Sequence, residues 1–254
     1  MNTIYIFLFF ILGLIMGEIY TIIGNRLAND EEKLFSKNHC DICFHKLRYF
    51  EMIPILSYLF LKGRCRYCHK KINIKNPLME LFTGILFAIA YYSFGFSYEF
   101  FIAVGIISLL VIITVSDINY LIIPDEVLLF FIGYFIIVQY LNLGIIEVFK
   151  HLLSGLLLFG FMYSIMLIGN KILKKESLGG GDIKLMFLFG LILDPLLGIL
   201  TIFLGSILAL PISLILLYKN KEKVIPFGPF LLLAFTLVYF MRIDIGMLVD
   251  YLMI

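Results

Sequence analysis

From Leu78 onward the chain scarcely leaves an apolar register: runs rich in Leu, Ile, Phe and Val follow one another with only short polar breaks. About 20 mostly apolar residues are needed to cross a bilayer as a helix. Inside lipid every backbone N–H and C=O must be satisfied within the protein, which restricts a spanning chain to helices or a closed barrel. The runs fit the helical solution. Composition agrees, with 62% of residues hydrophobic and 15% charged, against about 45–50% and about 25% for soluble domains. The sequence therefore predicts an all-α polytopic membrane protein of about eight transmembrane helices, at 3–23, 78–95, 99–117, 124–142, 151–170, 183–194, 196–217 and 226–242. Breaks are marked by Gly95-Phe96-Ser97, Asn142, Asp194-Pro195 and Lys219-Asn220-Lys221. The run at 183–194 is short, since about 12 residues rise only about 18 Å. It either starts inside the membrane or borrows the glycine-rich stretch before it. Residues 243–254 read as a tail or surface helix. With no Trp, the interfacial belts fall to 15 Tyr and 26 Phe.

Within the first run, Gly13 and Gly17 form a small-xxx-small pair suited to close helix packing. Glu18 either snorkels or faces the bundle interior. No Lys or Arg precedes Arg26, so the run lacks the basic start of a secretion signal. Residues 24–77 break the apolar pattern, carrying 11 of the 20 Lys and Arg and all four cysteines. Three divisions follow: a first transmembrane helix at 1–23, a cytoplasmic module at 24–77 and a transmembrane core at 78–254. With the N-terminus outside, the basic clusters at 24–77, at Lys171, Lys174, Lys175 and Lys184, and at Lys219, Lys221 and Lys223 all lie inside. Lys150 and Arg242 are the exceptions. The same topology puts Asp117, Asp182 and the cysteines on one side. The net charge of +2 gives no indication of a nucleic-acid partner.

Cys40-Asp41-Ile42-Cys43 and Cys65-Arg66-Tyr67-Cys68 are two C-x2-C knuckles with 21 residues between them. Each presents two thiolates to a tetrahedral ion, and the pair has zinc-ribbon spacing. A module of about 50 residues buries too little core to fold unaided, which makes a structural Zn²⁺ a natural staple. Two disulfides or four free thiols are the alternatives, the disulfides disfavoured by a reducing cytoplasm. His39, His45 and His69 flank a site that four thiolates already close. Arg64, Arg66, Lys70 and Lys71 read as a solvated face beside anionic lipid.

Three acids sit at run ends. Asp117 closes the third run, Asp125 follows Pro124, and Asp182 lies in Leu178-Gly179-Gly180-Gly181-Asp182-Ile183-Lys184. Ionisable groups at membrane depth are functional candidates. Two close carboxyls do not readily both ionise, so one keeps a proton while the other accepts one, which suits hydrolysis through a shared water. Asp125 has a sufficient explanation as a negative charge at a helix start. Asp182 has that explanation in part. Asp117 has none, because an acid opposes the dipole at a helix C-terminal end. A proton-coupled transporter would use the same acids, although no related halves of the kind transporters show are visible. A zinc-anchored scaffold would leave the acids unexplained.

The motifs, taken in order, resemble the bacterial type IV prepilin peptidases. They are Gly17 to Arg26-Leu27, the two knuckles with Ile53-Pro54-Ile55-Leu56-Ser57-Tyr58-Leu59 and Lys62-Gly63-Arg64-Cys65, then Glu80-Leu81, Asp117 with Ile123-Pro124-Asp125, Gly179-x-Gly181-Asp182-Ile183-Lys184-Leu185 and Pro226-Phe227-Gly228-Pro229-Phe230. The resemblance runs from Gly17 to about Phe235. It implies an intramembrane aspartic endopeptidase with catalytic Asp117 and Asp182, cutting the leaders of prepilins and pseudopilins at the inner face of the bacterial cell membrane. It also implies N-methylation of the new terminus with S-adenosylmethionine as donor, and it associates the Cys40, Cys43, Cys65, Cys68 module with the bifunctional members. Gly180 at the variable position and Glu18 beside Gly17 depart from the family pattern. No glycine-rich fingerprint after a strand places the methyl donor.

Overall fold

The computed structural model describes residues 2–29, 40, 43–46, 48–51, 53–174, 178–218 and 225–242. The expectations for His39, the 219–221 turn and 243–254 lie outside the described residues. Among those described, the regular structure is chiefly helical, with an isolated antiparallel bridge between Arg64 and Lys71. The helices are α1 (Asn2–Ala28), α2 (Leu56–Phe60), α3 (Lys75–Phe94), α4 (Tyr98–Tyr120), α5 (Asp125–Leu143), α6 (Ile145–Leu173), α7 (Gly180–Gly190), α8 (Pro195–Tyr218) and α9 (Gly228–Phe240), with a 3₁₀ turn at Tyr49–Glu51.

Six of these, α1, α3, α4, α5, α6 and α8, are long and apolar enough to cross a membrane. With 11 residues in α7 and 13 in α9, these two helices rise only about 16 and 20 Å, short of a hydrocarbon core of about 30 Å. Helix α7 starts earlier than the apolar run suggests, because Gly180 and Gly181 are already helical, and it stops at Gly190. Asn142 does not end α5. Its amide folds back onto the Val138 carbonyl, and the break comes at Gly144, whose φ of 84° only a glycine adopts easily.

The chain divides into two compact units, Met1–Phe100 and Phe101–Ile254. In the first, α1 packs along α3. A Cβ on Gly13 would lie 2.8 Å from the Cα of Gly84, and one on Gly17 would lie 2.8 Å from the Cα of Glu80. The small-xxx-small pair is therefore where the two backbones touch, as such motifs allow in membranes. Phe9 closes the far end, stacking on Tyr91 at 4.8 Å and meeting Phe100 edge-on at 4.8 Å. Ile4, Phe7, Leu8, Ile11 and Ile15 point outward from α1.

In the second unit the two short helices occupy the middle. Leu185, Leu188 and Phe189 of α7 and Leu231, Leu232 and Phe235 of α9 are fully buried, and Phe189 stacks on Phe235 at 4.2 Å. Helix α6 comes so near α7 that a Cβ on Gly190 would sit 2.5 Å from the Cα of Gly155. Helix α8 meets α9 at Gly205, beside Leu231, and turns Phe203, Ile207 and Leu210 outward. The carbonyls freed where α7 stops have side-chain donors: Gln139 Nε2 of α5 donates to the Leu191 oxygen, and Ser154 Oγ of α6 donates to the Leu193 oxygen at 2.9 Å.

A methyl at Gly190 meets backbone that cannot yield, so Gly190→Ala is expected to destabilise the purified chain by about 1–3 kcal/mol. Gly133→Ala, with nothing within 4 Å of the added Cβ, should be neutral or stabilising by up to about 1 kcal/mol. Thermal unfolding in detergent compares the two, and equal behaviour would contradict the packing described.

Candidate active site and metal centre

Asp117 lies in the last turn of α4. The chain then reverses through Leu121, at φ 57°, and Ile122-Ile123-Pro124 lead into α5. Asp182 is the third residue of α7. The side chains of both acids are buried, 6% and 8% exposed, and they lie near enough for their charges to interact. Asp117 Oδ2 accepts a hydrogen bond from the N–H of Gly228, the first residue of α9, at 3.1 Å. That contact answers the difficulty posed by its position. The negative end of α4 opposes a carboxylate, but the positive end of α9 is delivered directly against it.

Glycines bring these pieces together. A Cβ on Gly228 would stand 2.9 Å from Asp117 Oδ2 and 3.3 Å from Ile123 Cδ1. A Cβ on Gly181 would stand 2.8 Å from Ile123 Cβ, and one on Gly179 would stand 3.2 Å from Asp182 Oδ2. Ile123 thus touches the starts of both α7 and α9 and spaces them. Gly228 lay within a motif read from the sequence, but no role could be given to it there; its partner is 111 residues away. Two buried carboxyls in one electrostatic environment, with glycine backbone packed close against them, can exchange protons with a water.

Asp125 stands apart from this pair. Its carboxylate is exposed and receives Lys184 Nζ on both oxygens, at 2.6 and 2.8 Å. Helix-start charge therefore accounts for only part of its position; the cation on α7 is the partner that sequence alone did not show.

The four cysteines converge. All four Sγ atoms lie within 4.8 Å of one another, and Cys40 and Cys68 are 3.9 Å apart. Four sulfurs around a tetrahedral ion at about 2.3 Å are separated by about 3.8 Å, so the arrangement fits one metal ion. The two knuckles are built alike. The Cys40 N–H donates to the His45 oxygen and the Phe44 N–H to the Cys40 oxygen; the Cys65 N–H donates to the Lys70 oxygen and the His69 N–H to the Cys65 oxygen. Phe44 and His69, each four places after the first cysteine, share φ near 55°. The Cys68 N–H, and more weakly that of Tyr67, draw the Cys65 thiol down to about 7 against the opposing effect of burial, favouring the thiolate that a metal requires. His45 packs its ring on Tyr67 at 3.5 Å and is not needed as a ligand.

Comparison with known proteins places the chain. Residues 11–94 match the bacterial peptidase A24 N-terminal domain, and residues 104–214 match the type IV leader peptidase family. A prepilin leader peptidase/N-methyltransferase of Bacillus subtilis (strain 168) is 37% identical over 186 residues, covering 72% of each chain. The chain belongs to the type IV leader peptidase family. Proteins of the same description from Myxococcus xanthus and Xanthomonas campestris are 34% identical over 197 residues and 31% over 212. Those matches cover 75% and 82% of this chain and 57% and 73% of the relatives. No solved structure matches. Within the family match, the knuckles fall in the N-terminal segment, and Asp117 and Asp182 fall in the leader-peptidase segment; Gly228 lies beyond it.

The Asp125–Lys184 pair is solvent-facing, so Asp125→Asn should cost about 1 kcal/mol or less. A charge-exchanged Asp125→Lys, Lys184→Asp chain should recover part of that loss. Thermal unfolding of the three chains at low and high salt is the check, and the differences should shrink in salt.

Proposed function

We propose that Asp117 and Asp182 are the aspartyl dyad with which this chain cleaves the leader peptides of type IV prepilins and pseudopilins. The observation that carries the reading is the arrangement just described: two buried carboxyls held at the apposed ends of α4, α7 and α9, with glycines at every backbone approach. A water between them gives a proton to the ionised carboxylate as its oxygen attacks the scissile carbonyl carbon. The other carboxyl passes its proton to the carbonyl oxygen. The tetrahedral intermediate then collapses. The carboxyl that took the water's proton gives it to the leaving nitrogen as the C–N bond breaks, and the former carbonyl oxygen returns its proton to the other carboxylate. General acid–base assistance of this kind contributes about 10²–10⁴-fold.

The substrate on this reading is an apolar membrane helix with a charged leader at the cytoplasmic face of the cell membrane, unwound at the cleavage site so that its carbonyl is accessible. Helices α7 and α9 enter the membrane within the bundle, and with the six long helices they make eight apolar segments in it. The 24–77 segment is a cytoplasmic module in which Cys40, Cys43, Cys65 and Cys68 hold a structural Zn²⁺. S-adenosylmethionine supplies the methyl group for the new N-terminus, as the shared N-methyltransferase description supports.

Asp117→Asn and Asp182→Asn should each reduce cleavage of a co-expressed prepilin to background, at matched membrane levels. Methylation of a pre-cut pilin should persist in both. Asp125→Asn should keep cleavage. Mass spectrometry of the pilin N-terminus reads both reactions together, and an active Asp117→Asn beside an inactive Asp125→Asn would refute the dyad.

For the metal, one Zn²⁺ per chain is expected in freshly purified, reduced protein, lost on Cys40→Ser or Cys65→Ser while the transmembrane helices persist by circular dichroism. Metal analysis of the unmutated chain that finds no zinc would refute the assignment.

A further inference from the structure

Helix α2 is five residues long, and its apolar residues face away from the protein. Leu56, Leu59 and Phe60, at i, i+3 and i+4, form one helical face and are 50%, 63% and 83% exposed. Phe50 and Ile53, just before it, extend the patch, with Phe50 82% exposed. Single exposed apolar residues are ordinary, but a contiguous group marks an interaction surface.

Two observations say what that surface meets. The first is depth. The loop that carries α2 is fastened to α3 by the N–H of Ile55, which donates to Glu80 Oε2 at 2.7 Å. Glu80 is five residues into α3, about 7–8 Å along a helix that begins at Lys75 and goes on to cross the membrane. It lies against Gly17, itself well inside α1. The fastening holds Ile55 at φ 58° and ψ −48°, and the Leu56 N–H reaches back to the Pro54 oxygen to close a tight turn around it. A β-branched residue persists there only when its surroundings impose it. The start of α2 is thus held beside Glu80, about one and a half turns into a helix long and apolar enough to cross a membrane.

The second observation is charge. Arg48, Lys62, Arg64, Lys70 and Lys71 are all exposed on this module. Among its described residues Glu51 is the one acid, and its side chain is only 5% exposed. An exposed apolar face on a module whose described exposed charges are basic matches an anionic lipid surface, where each Lys or Arg contributes about 1 kcal/mol.

We propose that α2 inserts the Leu56, Leu59 and Phe60 face into the headgroup boundary of the protein's own bilayer, with the module's basic residues on anionic headgroups. The module is then held to the membrane at three places: α1, α3 and α2. This needs only the membrane setting and is independent of the assignment of the aspartates.

The absence of Trp from the chain provides the test. Phe60→Trp introduces a single tryptophan into the full-length protein, which is reconstituted with and without lipids brominated on their acyl chains. Blue-shifted emission is expected, quenched at least about twofold by brominated lipid and poorly by aqueous iodide. The lipid quenching should weaken when phosphatidylglycerol is replaced by phosphatidylcholine. Emission as in water, open to iodide, would overturn the proposal. So would blue-shifted emission that neither agent quenches, which would mean protein covers the face. Quenching indifferent to lipid charge would overturn the headgroup assignment. Leu59→Trp repeats the measurement on the same face should Phe60→Trp fail to accumulate.

Discussion

A peptide group in hydrocarbon must find a hydrogen-bond partner within the protein, and unmet groups there cost several kcal/mol each. Helices α7 and α9 are too short to reach water at both ends, so the second unit is arranged to supply what their termini lack. Side chains on α5 and α6 donate to the carbonyls exposed where α7 stops. At the other end of the molecule's interior, an unpaired amide of α9 is met by a carboxylate. In the second unit α5, α6 and α8 pack around the short helices, whose ends are thereby available to present polar groups inside an otherwise apolar body.

The acids depend on that arrangement. At the end of a single spanning helix, Asp117 would face a row of carbonyls; against the start of α9 it faces an N–H instead. The glycines are the steric condition for this. Their missing side chains let Ile123 and the two carboxyls occupy space that any Cβ would fill. The same economy appears in the first unit, where Gly13, Gly17 and Gly84 let two backbones touch.

Much of this was visible in the sequence because it is local. Apolar runs located all six long helices, with ends off by up to six residues at the start of α6, and the knuckle spacing anticipated four sulfurs in one place. The small-xxx-small pair anticipated a close helix contact along α1, and the structure supplies α3 as the partner. What could not be read were bonds between residues distant in sequence. Gln139 and Leu191 are 52 positions apart, Asp125 and Lys184 are 59, and Asp117 and Gly228 are 111. Nothing in the composition around either member names the other. Glu80 reads as an isolated charge at the start of a span until the Ile55 amide is placed on it. The Asn142 turn failed for a related reason: an asparagine can end a helix or bond back into it, and the following glycine decided which.

The likeness of the two cysteine knuckles bears on how the module would take up a metal ion. Each knuckle is closed by its own backbone hydrogen bonds, so each is a preformed two-toothed chelate independent of the other. An ion captured by one knuckle would be presented to the second by the chain segment that links them. The second capture is then intramolecular, governed by an effective concentration that this segment sets and not by the amount of free metal. A four-cysteine centre built this way would draw part of its affinity from chain connectivity.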